Sequence, residues 1–294
     1  MEKLQWKTIV HTINRICRSA GRAPKCRYTD ALILKFYFWA VKHDRPMSWA
    51  VDPLHWTRLF RPRSRPSVSQ LHRRLASPRL AMILQRVQQQ LAGARSGGHL
   101  FIDGRALPVS PVSQDRDARS GHIPGGMGRG YKLHAIVDDR SQIIDFSVLP
   151  LNRHEMPVAR EMIAKLPPLT PGSFVFADGN YDAHKLHKDI DARGGWLITR
   201  LRGRGRHPVT RRQMGPARRR LIDYWDRHPM AMELLYRKRD RIERVFGHLA
   251  CIPGLLGPLP SFVRGLKRVS RWVSAKICLY HARLTAKNIL KMSA

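Results

Sequence analysis

Three acidic residues stand in settings that call for a chemical explanation. Asp103 lies in Phe101-Ile102-Asp103-Gly104, where the two-residue side-chain period of a strand puts its carboxylate on the same face as Phe101. Phe174, Phe176 and Asp178 repeat the arrangement further along the chain. A carboxylate on an apolar strand costs free energy unless it is paired or bound to a metal ion. The competing reading is punctuation, because both acids precede glycine and Asp-Gly is a common turn dipeptide. The third acid, Glu243, follows Tyr236 and Arg239 in an arginine-rich stretch. At about 100° per residue these three side chains fall within an arc of roughly 60° on a helix, so they share one face. Taken alone, Arg239 and Glu243 also have the spacing of an ordinary surface ion pair, worth only tenths of a kcal/mol.

The elements that must position these acids change character along the chain. Residues 1–95 read as helical: Leu4, Ile9, Ile13 and Ile16 form an apolar stripe, and Thr29 or Asp30 caps a helix over 31–41. A further helix is predicted from Val68 through 85–91, capped by Ser67. After Ser96-Gly97-Gly98 the pattern turns to strands: 99–109, a hairpin of 131–137 and 143–149 around Asp138-Asp139-Arg140-Ser141, then 174–178 and 196–201. Helices are predicted at 156–166, 183–193 and 230–249, which makes the class α/β with a mixed sheet flanked by helices. Beyond residue 250, residues 262–291 read as a helix carrying Arg264, Lys267, Arg268 and Arg271, either a C-terminal clamp or dimer element or a solvated basic face. The expected domains are therefore 1–95, 98–250 and a basic C-terminal helical segment at 251–294.

Charge narrows the partners. The 294 residues carry 54 Lys plus Arg against 21 Asp plus Glu, a net +33, which suits a polyanion but does not by itself separate DNA from RNA or an anionic membrane. Spanning a bilayer is excluded for the most apolar stretch, 31–41, which is too short and is interrupted by Lys35. The opening MEKLQWKTIV lacks the features of a secretory signal, and the four scattered cysteines suit a reducing cytosol. Arg73 and Arg74 beside a predicted helix entrance fit a helix-turn-helix DNA reader or, equally in kind, a plain bundle with a basic face. Arg204, Arg206, Arg211 and Arg212 belong to a biased segment over 200–220 whose like charges repel unless an anion neutralises them.

Four blocks in order resemble the DDE transposases of bacterial insertion sequences. Tyr236, Arg239 and Glu243 match that family's Tyr, two residues, Arg, three residues, Glu, six residues, Lys or Arg motif, except that residue 250, the final basic position, is Ala250. Phe176-Ala177-Asp178-Gly179-Asn180-Tyr181-Asp182 is similar to the second-Asp block, and Gly130-Tyr131-Lys132-Leu133-His134 to the Lys-x-His strand. Leu151-Asn152-Arg153-His154-Glu155 is similar to an Asn-x-His-Asp stretch, with Glu155 where the family usually has Asp. The resemblance covers roughly residues 99–249.

This resemblance implies a ribonuclease H-like catalytic core with Asp103, Asp178 and Glu243 as metal-holding catalytic residues, provided the sheet brings them together. It implies Mg²⁺ or Mn²⁺, two ions per site, because hard cations take oxygen ligands and a pair about 3.5 to 4 Å apart stabilises both attacking and leaving oxygens. Cleavage would free a 3'-OH at an element end, and that hydroxyl would then attack target DNA in the same site. Arg239 would neutralise phosphate charge, with Tyr236 and Lys132 also contacting DNA. The implied partners are double-stranded DNA and a second copy of the chain in a synaptic complex, with no membrane and a cytoplasmic, nucleoid-associated location.

Two alternatives stay open on the residues alone. One is a catalytically decayed or domesticated DNA-binding protein, for which Ala250 is the best argument. The other is a ribonuclease H-like nuclease that cleaves without strand transfer. Two weaker motifs carry less: Gly125-Gly126-x-Gly128-x-Gly130 precedes a strand and reads as a flexible connector, and His184 with His187 reads as a surface pair.

Overall fold

The structure is a computed structural model that describes residues 1–21, 26–95, 97–201 and 215–292. Its chain divides into two compact units, one made of Met1–Gly93, Val112–Asp117 and His248–Ala294, the other of Ala94–Pro111 and Ala118–Gly247.

The first unit is helical. Thr29 caps helix Asp30–Lys42 by accepting from the Leu32 amide at 3.2 Å, and Phe36, Phe38 and Trp39 of that helix are buried with Trp6 and Phe60. Trp39 and Trp6 meet edge to face at 5.2 Å, as do Phe36 and Phe60 at 5.1 Å. Ser67 and Gln70 form a reciprocal capping box at the start of helix Val68–Leu75. The single helix expected from Val68 onward is two, because Ser77 caps a new helix, Pro78–Ala92, and Pro78 cannot continue the old one. Helix Leu266–Met292 is starting from a cap outside its own sequence: Asp115 and Asp117 accept from the Gly265 and Leu266 amides at 2.9 and 2.8 Å. Its middle, including Val273, Ile277, Cys278 and Leu279, is fully buried in this unit. Arg264, Lys267 and Arg268 remain exposed at its start.

The second unit is built on a six-stranded mixed sheet of β1 (Leu100–Pro108), β2 (Arg119–Ile123), β3 (Gly126–Asp138), β4 (Ile143–Pro150), β5 (Phe174–Phe176) and β6 (Trp196–Ile198). Strand order is β2-β3-β1-β5-β6, with β4 also paired to β3. β1 and β3 are antiparallel with Asp103 opposite Ala135, whereas β1, β5 and β6 run parallel. The β3–β4 hairpin closes at Asp138, whose carboxylate accepts from the Arg140 and Gln142 amides, each at 2.9 Å. The glycine-rich stretch is not a flexible connector. Pro124 and Gly125 make the tight turn between β2 and β3, Gly125 taking φ +89°, and the following glycines lie in β3. Gly130 is required by packing, since a Cβ there would stand 2.3 Å from the Leu107 carbonyl of β1.

Alternation along β1 sorts its side chains. Leu100 and Ile102 join the core under helices Glu155–Lys165 and His184–Asp191, with Val158, Met162, Leu186 and Ile190. Phe101 turns to the other face, where it stacks on Phe176 at 5.2 Å and Arg241 lies over its ring. The expected helix over 230–249 is jointed: Pro229–Tyr236, a tight 3₁₀ turn at Arg237–Arg239, then Asp240–Cys251. Arg105, also on the Phe101 side of β1, donates to the Phe246 carbonyl at 2.6 Å and so ties the last of these helices to the strand. Among the described residues, no helix is long and apolar enough to cross a membrane.

Candidate active site

Asp103 is in mid-strand, so its Asp-Gly step is not a turn. Its Oδ1 accepts from the Gly104 amide at 2.7 Å. Burial, reinforced by the charges of Asp178 and Glu155, pushes its carboxyl up to about 7 against the opposing pull of that amide and of Arg239. Asp178 follows β5 and caps the short turn Gly179–Tyr181, taking the Asn180 amide at 2.8 Å and the Asn180 side-chain amide at 3.0 Å. For this acid the punctuation reading therefore describes the backbone correctly, yet the carboxylate is also in the field of its neighbours. Burial raises its pKa, Glu155 adds to the rise and Arg239 opposes it.

Glu243 lies one turn into helix Asp240–Cys251, half exposed, and is hydrogen-bonded by Arg239. The same guanidinium stands 3.9 Å from Asp103 Oδ2 and is itself largely covered. Arg239 thus joins two acids that are 140 positions apart in sequence (243 less 103). Tyr236 is buried beside it, with the Arg239 and Arg200 guanidinium groups 5.7 and 5.2 Å from its ring centre. Burial raises the Tyr236 phenol. Among the described residues, no three His, Cys, Asp or Glu side chains come close enough together to hold a metal ion as they stand.

Lys132 of the Lys-x-His strand is paired with Glu155, Nζ to Oε1, at 2.8 Å. His134 beside it is buried, and desolvation with the Lys132 charge pushes its imidazole down to about 4, so the ring is neutral at pH 7. Arg74, by contrast, is committed within the helical unit: it pairs with buried Asp30 and donates to the Tyr28 carbonyl at 2.9 Å. Arg73 on the same helix is exposed. Arg204, Arg206, Arg211 and Arg212 lie outside the described residues.

Sequence reasoning missed a buried ionic network directly after Asp178. Asp182 receives both arms of Arg218 at 2.8 and 2.7 Å and the His187 ring at 3.1 Å, so His187 is a buried residue and not half of a surface pair. The network ties the Asp178 turn to helices His184–Asp191 and Pro216–Arg227. Tyr181, in the same turn, is fully buried and its hydroxyl has no hydrogen-bond partner among the described residues.

Comparison with known proteins bears on this site. The family model described as a transposase DDE domain matches residues 95–250, which contain all three acids. No curated protein matches the chain. A solved structure, the cryo-EM structure of a piggyBac transposase synaptic complex with hairpin DNA, is similar at 12% identity with a TM-score of 0.42, covering 99% of this chain and 79% of that one.

Proposed function

The chain belongs to the transposase DDE domain family, and from that membership we propose that it is an insertion-sequence transposase. It cuts DNA at element ends and joins the resulting 3'-OH to target DNA. The observation that carries the reading is the convergence of Asp103 and Glu243 on one guanidinium, with Asp178 within its field. A β1-centred sheet with an antiparallel hairpin on one side and parallel strands on the other supports a ribonuclease H-like core for this unit.

DDE transposases generally use divalent metal ions, and the donors here fit: all are hard carboxylate oxygens, and burial raises both Asp103 and Asp178, with the Asp178 charge adding to the rise of Asp103. Asp103, Asp178 and Glu243 would hold Mg²⁺ or Mn²⁺, which supplies electrostatic stabilisation to the attacking and leaving oxygens of the phosphodiester. The protein's own work is positional. β1 presents Asp103 from a rigid strand, the Asn180 contacts fix the Asp178 carboxylate, and the Asp182 network braces the turn that carries it. Arg239, held over Tyr236, is placed to meet a phosphate when it leaves Glu243. Residues 1–95 serve as the element-end reader, Lys132 and the arginines at 204–212 contribute to DNA contact, and two copies act together in a synaptic complex.

The test is to incubate the full-length protein with DNA carrying its own element ends, a target plasmid and Mg²⁺. Cleaved ends joined to target support transposition. Cleavage without joining contradicts strand transfer and leaves a nuclease, and binding without cleavage contradicts the catalytic reading altogether.

A further inference from the structure

A fourth carboxylate acts on the same acids: the charge of Glu155 helps to raise both Asp103 and Asp178. Glu155 opens helix Glu155–Lys165, and its Oε1 lies 3.2 Å from the point that a Cβ on Gly104 would occupy. Gly104 is the residue directly after Asp103, and it sits in mid-strand where no turn needs it. A Cβ at 104 would crowd Glu155 and Lys132, whose Cδ is also 3.2 Å from that point, so the pair packs closely against β1 at the residue after the first acid.

A second observation points into the same space. Tyr181 is wholly buried, three residues after Asp178, and its hydroxyl has no hydrogen-bond partner among the described residues. A buried unsatisfied hydroxyl costs about 1–3 kcal/mol, which is tolerated where a ligand or water completes it. Burial raises this phenol, and the charges of Glu155, Asp103 and Asp178 add to the rise, so the hydroxyl lies within the field of the same acids. Charge balance agrees. Among the described residues, the ion pairs of the carboxylates Asp103, Glu155 and Glu243 are with two cations, Lys132 and Arg239, and Asp178 adds a further negative charge when ionised.

We propose that Glu155 is a fourth acidic position of the metal centre, with Lys132 as its counter-ion in the cation-free protein. The inference rests on the reading of Asp103 and Asp178 as metal-holding acids. Glu155 would supply a further carboxylate oxygen to a divalent ion held by those acids, directly or through the ion's water shell. Lys132 competes with that ion for the carboxylate. A plainly structural role is the rival account, since an acid in the first turn of a helix is favoured by the helix dipole in any case.

Calorimetric titration of the full-length protein with Mn²⁺ alone, without DNA, separates the two. Glu155→Gln is expected to weaken Mn²⁺ binding about tenfold, the lower end of what supporting residues around a metal contribute. Lys132→Met is expected to tighten it, because the competing cation is gone. Unchanged Mn²⁺ affinity in Glu155→Gln, with binding lost in Asp103→Asn, overturns the proposal and leaves Glu155 a structural residue. If Asp103→Asn also binds Mn²⁺ as the wild type does, the underlying reading of the centre fails with it. Should Glu155→Gln not fold, the Lys132→Met arm decides, and no gain in Mn²⁺ affinity there overturns the proposal.

Discussion

Asp103 gives the most direct view of how a single residue is held against its own chemistry. Its carboxyl titrates near 7 in the folded protein against 3.8 ordinarily, mainly through burial. The folded state therefore holds a proton that the unfolded chain releases between these values, and stability present below pH 4 is lost as pH rises through 7. Asp103→Asn has no such loss, so it should be more stable than wild type by ~1–3 kcal/mol at pH 8 and equal to it at pH 4, read from thermal melts without divalent ions. Ala250 offers a second test: it is seven residues after Glu243 on one helix and so on nearly the same face. Ala250→Lys should change cleavage only modestly if Arg244 or Lys238, both exposed, already supplies a cation. Recovery from near-zero activity would instead mark a decayed enzyme. Asp103, Glu243 and Arg239, which the structure brings into contact, could be picked out as candidates because residue type and spacing carry that signal. Glu155 was seen only as a departure in one block and Tyr181 only as a member of the second-Asp block, because partners such as Gly104 are set by strand packing that spacing does not encode.

At the scale of elements, the sequence pattern gave the β3–β4 hairpin, the mixed sheet and the Thr29 and Ser67 caps, each of which rests on local chemistry. It failed where context overrode pattern. The glycines at 125–130 looked flexible, yet they build the β2–β3 hairpin and let β3 approach β1. Gly130→Ala should disturb that pairing by forcing a Cβ against the Leu107 carbonyl, lowering stability by ~1–3 kcal/mol in denaturant titration. Unchanged stability in Gly130→Ala would refute the packing argument. The Asp182, His187 and Arg218 network was illegible because its members are 36 residues apart at the extremes (218 less 182) and join only through packing. Arg218→Met strips the bidentate partner from a buried carboxylate and should cost ~3–5 kcal/mol, with the Asp178 turn losing amide-exchange protection first.

For the whole molecule, +33 of formal charge should dominate binding to DNA under the proposed function. Affinity should fall linearly on a log–log plot against salt, by about 10³-fold or more between 50 and 200 mM if six or more phosphates are neutralised, and a flat dependence would contradict an electrostatic footprint. Dividing function by truncation is harder than the sequence suggested. Helix Leu266–Met292 is a core helix of the unit that contains residues 1–93, so deleting 1–95 removes its packing partners as well as any DNA reader. Point variants are the cleaner instrument for the central claim, that Asp103, Asp178 and Glu243 serve chemistry and not adhesion. Asp103→Asn, Asp178→Asn and Glu243→Gln keep shape while removing negative charge, so each should bind element-end DNA as well as wild type or better in a gel-shift titration. In parallel reactions with Mg²⁺, end cleavage and strand joining should collapse together in all three. Cleavage at wild-type rates in the three variants would contradict the assignment of these acids.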